Sequence, residues 1–125
     1  MKILFVTSEA APFLRTGGLG DVAGALPQAL KAMGHDVRIV MPLYQGISEE
    51  NRKKMHFVGS TFVDLGWRRQ YAGVFEATEN GVPYYFVDNE YYFNRGGLYG
   101  HFDDGERFAF FSKAALEIVK VTEFY

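Results

Sequence analysis

Residues 3–41 have the sequence ILFVTSEAAPFLRTGGLGDVAGALPQALKAMGHDVRIVM. The continuous apolar run Ile3–Val6 is typical of a parallel strand that is buried on both faces. A loop with three glycines follows, and apolar residues then recur at helical spacing as far as Met33. A second apolar run, Val37–Met41, completes the pattern. This order of strand, loop, helix and strand predicts a right-handed βαβ unit in a doubly wound α/β sheet.

The loop RTGGLGDV combines glycines with a cation after the first strand. Because they lack Cβ atoms, Gly17, Gly18 and Gly20 can adopt positive φ angles and let a ligand approach the main chain closely. Arg15 adds a positive charge, and a helical turn that begins near Asp21 would add the positive end of its dipole. We therefore interpret the loop as a phosphate-contacting site.

The predicted helix contains Pro27, which lacks an amide N–H and disfavours a helical conformation at Leu26. We therefore expect a short helical turn from Asp21, followed by the main helix through Met33. Gly34 then stands at the position where helices commonly end in a glycine.

The middle of the chain predicts antiparallel pairing. His56–Leu65 and Trp67–Thr78 are two extended runs that are joined at one glycine, as in a β-hairpin. Val82–Val87 follows the turn dipeptide Asn80-Gly81 and predicts another buried strand. The aromatic and glycine-rich segment Asn89–Phe102 shows no periodicity, so it is predicted to be a loop.

The last part of the chain predicts a helix that Asp103 or Asp104 caps, with Glu106 at the spacing of a capping box from Asp103. We interpret these three acids as capping groups and not as an acid–base pair. The apolar face of this helix is expected to contain Phe108, Phe111, Ala115, Ile118 and Val119.

Composition excludes several classes of protein. The chain has 125 residues, of which 48% are hydrophobic and 22% are charged, which favours a globular domain over a disordered one. A net charge of −2 gives no general attraction to nucleic acid or to anionic membranes. The absence of cysteine excludes disulfides and thiolate metal sites, and the three histidines show no metal-ligand spacing. The apolar start is too short for a signal peptide, so we expect a cytoplasmic protein without a membrane span.

Several motifs resemble the N-terminus of bacterial and plant glycogen and starch synthases. The resemblance begins with SEAAPF at positions 8–13, TGGLGDV at 16–22 and ALP at 25–27. GHDV at 34–37, MPLY at 41–44, GLYG at 97–100 and RFAFFS at 107–112 extend it along the whole chain.

This resemblance implies an α/β fold with a Rossmann-like parallel sheet and helices on both faces. Residues 1–125 would form an incomplete N-terminal domain of a GT-B glycosyltransferase, and we expect the C-terminal domain to be absent. The family transfers glucose from ADP-glucose to the non-reducing end of an α-1,4-glucan, with retention of configuration and without a metal or other cofactor. Because the main catalytic groups of the family lie outside these residues, we assign no catalytic residue and expect the chain alone to be inactive.

The resemblance also assigns the glycine loop to the donor. The residues expected to bind ADP-glucose are Arg15, Thr16, Gly17, Gly18, Gly20 and Asp21. Backbone N–H groups of Gly17 and Gly18 would contact the diphosphate, and Asp21 would accept hydrogen bonds from sugar hydroxyls. The family has lysine at position 15, so Arg15 predicts weaker or altered donor binding. Tyr99 and His101 are the candidate residues for lining the cleft.

Two other functions stay open on the sequence. GLGDVA at positions 18–23 fits a dinucleotide fingerprint, as in an NAD(P)-binding Rossmann domain of an oxidoreductase. Against this, the glycines lie well after the first strand, and no acidic residue ends the second strand. The other alternative is a truncated, non-catalytic product that binds glucan or a partner. An exposed sheet edge in such a product predicts self-association.

Overall fold

The computed structural model describes all residues, 1–125. The chain forms five strands, two long helices and two short helices. In chain order these are β1 (Lys2–Val6), α1 (Gly18–Ala32), β2 (Asp36–Pro42), α2 (Glu49–Arg52), β3 (His56–Leu65), β4 (Arg68–Glu79), β5 (Val82–Asp88), α3 (Glu90–Phe93) and α4 (Asp104–Thr122). None of the helices has the length and apolar character that crossing a lipid bilayer requires.

All five strands form one mixed sheet in the order β1-β2-β5-β4-β3. β1, β2 and β5 are parallel, with Phe5 beside Ile39 and Ile39 beside Tyr84. β4 pairs antiparallel with both β5 and β3. The predicted βαβ unit and the predicted hairpin are therefore confirmed. Asn80 and Gly81 both have positive φ, which a tight turn between antiparallel strands requires.

β1 lies at the edge of the sheet and pairs only with β2. Its residues Ile3, Leu4 and Phe5 are half-buried, and Val6 is exposed. The expectation of a strand buried on both faces is therefore wrong, because β1 has a neighbour on one side only. Its outer backbone groups stay unpaired.

Helix α1 begins earlier than the sequence predicted and is not divided. It runs from Gly18 to Ala32 with Pro27 inside it, so the expectation of a separate turn from Asp21 is wrong. The missing N–H of Pro27 is tolerated because its apolar ring is buried. The predicted C-terminal glycine is confirmed. Gly34 has a φ of +97°, and the N–H of His35 donates to the carbonyl of Leu30, as in a Schellman motif.

The two long helices pack on opposite faces of the sheet, as predicted. Tyr84 and Tyr85 are adjacent on β5, so their side chains point to opposite faces. The Tyr84 hydroxyl donates to the carbonyl of Ala11, in the loop before α1, at 3.0 Å. The Tyr85 hydroxyl accepts from Arg38 at 2.6 Å, and the Arg38 guanidinium lies 4.2 Å from the ring centre of Phe124, after α4.

The core is continuous and fixes the loop that follows β1. Ile39 and Phe86, on the two central parallel strands, are fully buried. Phe13, from the loop, packs its ring centre 4.8 Å from that of Tyr84 and 4.9 Å from that of Phe86. The loop is therefore anchored to the sheet by aromatic packing.

The segment Asn89–Phe102 is not entirely a loop. Its first part forms the short helix α3, because the Asn89 side chain accepts a hydrogen bond from the N–H of Tyr92 at 3.1 Å. Tyr92 and Phe93 are fully buried in the core. Helical spacing over a single turn was too short to identify from the pattern.

The predicted capping box at the start of α4 is wrong. Asp103 is the N-cap residue, but its side chain makes no capping hydrogen bond and pairs instead with Arg95. Glu106 accepts from Arg68 at 2.8 Å and from the Tyr92 hydroxyl. The acids are thus used for tertiary contacts, which hold α4 against β4 and α3.

Candidate functional site

The candidate site lies at the carboxyl end of β1, where the loop enters α1. Ligands commonly bind at this edge of α/β sheets. Gly17 is the N-cap residue of α1 and has extended backbone, with a φ of −172°. Gly18 and Gly20 belong to the first turn of the helix. No glycine of the loop has a positive φ, so the expectation of left-handed glycines here is wrong.

The loop glycines serve two different purposes. A Cβ at Gly17 or Gly18 would find no heavy atom within 4 Å, so this side of the loop is open. A Cβ at Gly20 would lie 2.5 Å from the Cβ of Arg15 and 2.9 Å from Oε1 of Glu9. Gly20 is therefore required for packing, whereas Gly17 and Gly18 leave room for an approaching group.

The carboxylate of Glu9 lies inside the cradle that the loop forms. Its Oε1 accepts the backbone N–H groups of Thr16 at 2.9 Å, Gly17 at 3.2 Å and Gly20 at 3.1 Å. Its Oε2 accepts the hydroxyls of Thr16 and Tyr99, each at 2.7 Å. Five donors surround a side chain that is only 2% exposed. The N–H groups of Gly17 and Gly20 therefore bind Glu9 and do not face an external anion.

Glu9 is ionised at neutral pH and lies at the start of α1. Burial raises its pKa, but the hydrogen bonds from Tyr99, Thr16 and Gly17 outweigh burial and lower the pKa from 4.5 to about 2. A carboxylate at a helix N-terminus also interacts favourably with the helix dipole. Part of the positive potential of the loop is therefore already balanced within the chain.

Two amides of the cradle remain available. The N–H groups of Gly18 and Leu19 make no hydrogen bond within the chain, and both residues are exposed. They belong to the first helical turn, whose N–H groups lack partners inside the helix. An external anion can therefore contact Gly18 and Leu19 beside the open surface of Gly17.

Arg15 and Asp21 form an ion pair across the open side of the loop. Arg15 Nε lies 2.6 Å from Asp21 Oδ1, and Arg15 Nη2 donates to Asp21 Oδ2 at 3.2 Å. Both side chains are more than half exposed. Each can therefore exchange its present partner for a ligand at low cost. The structure thus brings together all six residues that the sequence analysis assigned to the donor.

Tyr99 lies beside the glycine loop, and His101 lies further away. The Tyr99 hydroxyl donates to Glu9, so the Ser8 hydroxyl, 2.7 Å away, is the donor in its contact with Tyr99. Tyr99 and Ser8 also line a cavity of about 440 Å³ between the end of β1 and α4. The His101 ring instead contacts the carbonyl of Gly97 at 3.2 Å. Of the two candidates for lining the cleft, only Tyr99 borders this cavity.

Arg107 holds the segment that contains Tyr99. It is fully buried, and its Nε donates to the carbonyl of Tyr92 at 2.7 Å. Its Nη1 donates to the carbonyl of Leu98 at 2.9 Å and to Oδ1 of Asp104 at 2.8 Å. Asp104 in turn accepts the N–H of Gly100. These bonds fix the backbone on both sides of Tyr99.

Neither Glu9 nor Arg107 was identified from the sequence as an organising residue. Each had a weak signal in the sequence. Glu9 is an acid that lies three residues after the first strand and before the glycines of the loop. Arg107 occupies a position on the otherwise apolar face of α4, three residues before Phe110. A charged residue in such a position usually has a defined set of partners.

The described chain contains no group of three or more His, Asp or Glu side chains arranged to hold a metal ion. His56 lies 3.7 Å from Glu76 on the neighbouring strand, far from the glycine loop. The chemistry available at the candidate site is therefore anion and hydroxyl binding by amides, Arg15, Asp21 and Tyr99.

Comparison with known proteins identifies the family. The model of the starch synthase catalytic domain matches residues 2–124. The glycogen synthase of Clostridium botulinum is 58% identical over 120 residues, which cover 96% of this chain and 25% of that protein. The glycogen synthase of Geobacillus stearothermophilus is 56% identical over 124 residues, which cover 99% of this chain and 26% of that protein. The chain thus spans about a quarter of the length of these relatives.

A solved structure shows the same fold. The catalytic domain of starch synthase IV from Arabidopsis thaliana, bound to ADP and acarbose, superposes with a TM-score of 0.86 at 29% identity. The match covers 97% of this chain and 25% of that chain. It confirms the predicted architecture of the N-terminal part of a GT-B glycosyltransferase, and a dinucleotide-binding oxidoreductase is not favoured. The chain therefore belongs to the starch synthase catalytic domain family.

Proposed function

We propose that this chain provides one half of the donor site of a glucosyltransferase that transfers glucose from ADP-glucose to an α-1,4-glucan. The family supports the reaction, and the Arabidopsis relative was bound to ADP and acarbose, a nucleotide diphosphate and an oligosaccharide. In this proposal the glycine loop faces the donor and Tyr99 faces the glucan.

One observation supports the proposal most strongly. The start of α1 has two unbonded amides, Gly18 and Leu19, beside a surface at Gly17 that carries no side chain. Glu9 holds the backbone of this surface in place, because its carboxylate accepts the N–H groups of Gly17 and Gly20. Donors that are held rigidly in place stabilise a developing charge without reorganisation. The diphosphate leaving group gains such a charge when its bond to glucose breaks.

The other residues of the loop have separate roles in this proposal. Arg15 contacts a phosphate oxygen after it leaves Asp21, and Asp21 then accepts hydrogen bonds from the sugar hydroxyls. Thr16 and Gly20 keep Glu9 in place, so they act on the donor indirectly. Positioning of the donor and the acceptor then supplies much of the rate enhancement. No residue of this chain is assigned as the catalytic acid, base or nucleophile.

The direct test is ligand binding by the purified 125-residue chain. Isothermal titration with ADP-glucose is expected to show saturable binding that Gly18→Val removes, because its side chain would fill the open surface. NADH fluorescence is expected to stay unchanged when the chain is added. Binding of NADH, or binding of ADP-glucose that Gly18→Val leaves intact, would contradict the proposal. Glucan elongation from ADP-glucose by this chain alone is not expected.

A chimera tests the full reaction. The chain replaces the matching 124 residues of the Geobacillus stearothermophilus glycogen synthase. Glucosyl transfer by this chimera is expected, and Gly18→Val is expected to abolish it. A folded chimera without transfer activity would favour the non-catalytic alternative. Self-association through β1 stays a prediction, which sedimentation velocity would test. A cytoplasmic location also stays a prediction, which cell fractionation would test.

A further inference from the structure

An open groove lies at the turn between β3 and β4, at the edge of the sheet where β1 also ends but on the strands furthest from β1. Trp67, the only tryptophan of the chain, is 87% exposed in this turn. It lines a cavity of about 630 Å³ together with Arg68, Arg69, Gln70 and Tyr91. Exposed aromatic surface that is surrounded by polar side chains is typical of interaction sites.

Arg68 lies near both aromatic rings of the groove, and Arg95 lies 5.2 Å from the ring centre of Tyr91. The Arg68 guanidinium carbon lies 4.8 Å from the ring centre of Trp67 and 5.9 Å from that of Tyr91. Arg68 is itself fixed by Glu106, at 2.8 Å. The rings therefore have a defined arrangement, and Tyr91, at 52% exposed, also presents much of its surface to the solvent.

Several polar groups of the groove lack partners within the chain, although Gln70 Oε1 accepts from the Asn89 side chain at 3.4 Å. The side-chain N–H groups of Arg69 and Gln70 donate no hydrogen bond. A second cavity of about 310 Å³ adjoins the first, since Gln70 and Tyr91 line both. It contains the carboxylates of Asp88 and Glu90, which accept no hydrogen bond. Free donors and free acceptors thus flank the two exposed rings.

The charges in and beside the groove largely balance, so they do not favour an anionic ligand. Glu106 balances Arg68, and Arg69 is outnumbered by Asp88 and Glu90. The ligand that fits is neutral, with apolar faces for the rings and hydroxyl groups that both donate and accept. Sugars combine these properties, because the faces of a pyranose ring are apolar and its rim is hydroxylated.

We propose that the groove between Trp67 and Tyr91 is a surface site for an α-1,4-glucan chain. This site rests on the proposed function, which supplies the kind of glucan, but it is separate from the glycine loop and from Tyr99. The groove lies where β5 ends, and β1 ends at the same edge of the sheet. A glucan held there stays near the edge that presents the donor loop.

Trp67 provides a reporter that is located in the groove itself. Titration of the 125-residue chain with maltoheptaose is expected to shift the emission of Trp67 to shorter wavelength with saturation. ADP-glucose is expected to leave this emission unchanged, because the donor loop contains no tryptophan. Cellohexaose, the β-1,4 counterpart, is expected to bind at least about tenfold more weakly.

Variants test which residues bind the glucan, with calorimetry as the readout. Trp67→Ala is expected to weaken maltoheptaose binding about tenfold, and Tyr91→Ala about fivefold. Trp67→Phe keeps an aromatic face and is expected to stay within about threefold of the original affinity. Leu116→Ala is the matched control, since Leu116 is 71% exposed on α4 and lies outside the groove. Circular dichroism checks that each variant is folded.

Any of three results with sugar would overturn the proposal. They are the absence of maltoheptaose binding, equal binding of cellohexaose, and full binding by folded Trp67→Ala. A change in Trp67 emission when the chain is concentrated without sugar would also overturn it, because the groove would then be a contact between copies. ADP-glucose binding is measured separately, so the glucan site can fail while the donor site stands.

Discussion

Glu9 and Tyr99 lie 90 positions apart in the chain, yet the Tyr99 hydroxyl donates to the Glu9 carboxylate at 2.7 Å. Glu9 holds the glycine loop through its other oxygen, and Arg107 holds the backbone beside Tyr99 through the carbonyl of Leu98. The loop after β1 and the segment before α4 are therefore parts of one hydrogen-bonded unit. The position of each segment therefore depends on contacts with the other.

Replacement of Glu9 is expected to destabilise the protein strongly. Glu9→Gln keeps one oxygen for the backbone N–H groups, but it removes the charge and places an NH2 group beside the hydroxyls of Thr16 and Tyr99, which now donate to Oε2. We expect a loss of about 3 kcal/mol in the free energy of unfolding, measured by urea denaturation. Glu50→Gln removes the same charge from an exposed position and is expected to change the stability by less than about 0.5 kcal/mol. Equal stability of the two variants would contradict this role of Glu9.

The contribution of Glu9 depends on pH in a defined direction. Its pKa is about 2 in the folded chain, against 4.5 for the free group, so the unfolded chain takes up the proton first as the pH falls. The stabilisation is therefore complete above 4.5 and is lost as the pH falls from 4.5 to about 2. The difference in stability between the original chain and Glu9→Gln is expected to shrink over this interval. A difference that stays constant down to about pH 3 would contradict the lowered pKa.

The glycines of the loop are expected to respond differently to alanine. Gly20→Ala places a methyl group 2.5 Å from the Cβ of Arg15 and is expected to cost roughly 1–3 kcal/mol of stability. Gly18→Ala meets no atom within 4 Å and lies in a helix, so its stability is expected to be equal or slightly higher. Its affinity for ADP-glucose is expected to fall about tenfold, because the methyl group lies on the open surface. Thermal unfolding and calorimetry distinguish the two effects.

Removal of the buried guanidinium of Arg107 is expected to loosen the segment around Tyr99. Arg107→Met keeps the volume of the side chain but leaves the carbonyls of Tyr92 and Leu98 without donors, at a cost of roughly 2–4 kcal/mol. Hydrogen exchange of the amides near Tyr99 is expected to accelerate. Arg69→Met is the control, because Arg69 is exposed and forms no salt bridge. Unchanged exchange in folded Arg107→Met would exclude this anchoring role.

The elements with long periodic patterns could be predicted from the sequence, and the contacts between distant residues could not. The runs at Ile3–Val6 and Val82–Val87 and the turn at Asn80-Gly81 indicate their structure locally, because apolar spacing and turn chemistry act over a few residues. The start of α1 was misplaced because Glu9, outside the helix, accepts the amides of Thr16, Gly17 and Gly20.

The candidate site shows the same division. Its glycines and its charged residues were found in one contiguous motif, since the motif itself determines the loop. Glu9 was missed because its function depends on Tyr99, which folding brings to it from the far end of the chain. Asp103 and Glu106 were assigned to capping because their spacing fits a capping box. Their actual partners, Arg95 and Arg68, lie outside α4.

Arg15 is expected to make donor binding weaker than lysine would. Its guanidinium contacts both carboxylate oxygens of Asp21, at 2.6 Å and 3.2 Å, whereas an ammonium makes a single contact and releases the carboxylate more readily. In the chimera with the Geobacillus stearothermophilus glycogen synthase, Arg15→Lys is expected to strengthen ADP-glucose binding about threefold to tenfold. Because both side chains are exposed, its effect on stability is expected to stay below about 1 kcal/mol. Arg15→Met removes the charge and is expected to weaken binding, so an unchanged apparent affinity in both variants would show that position 15 does not contact the donor.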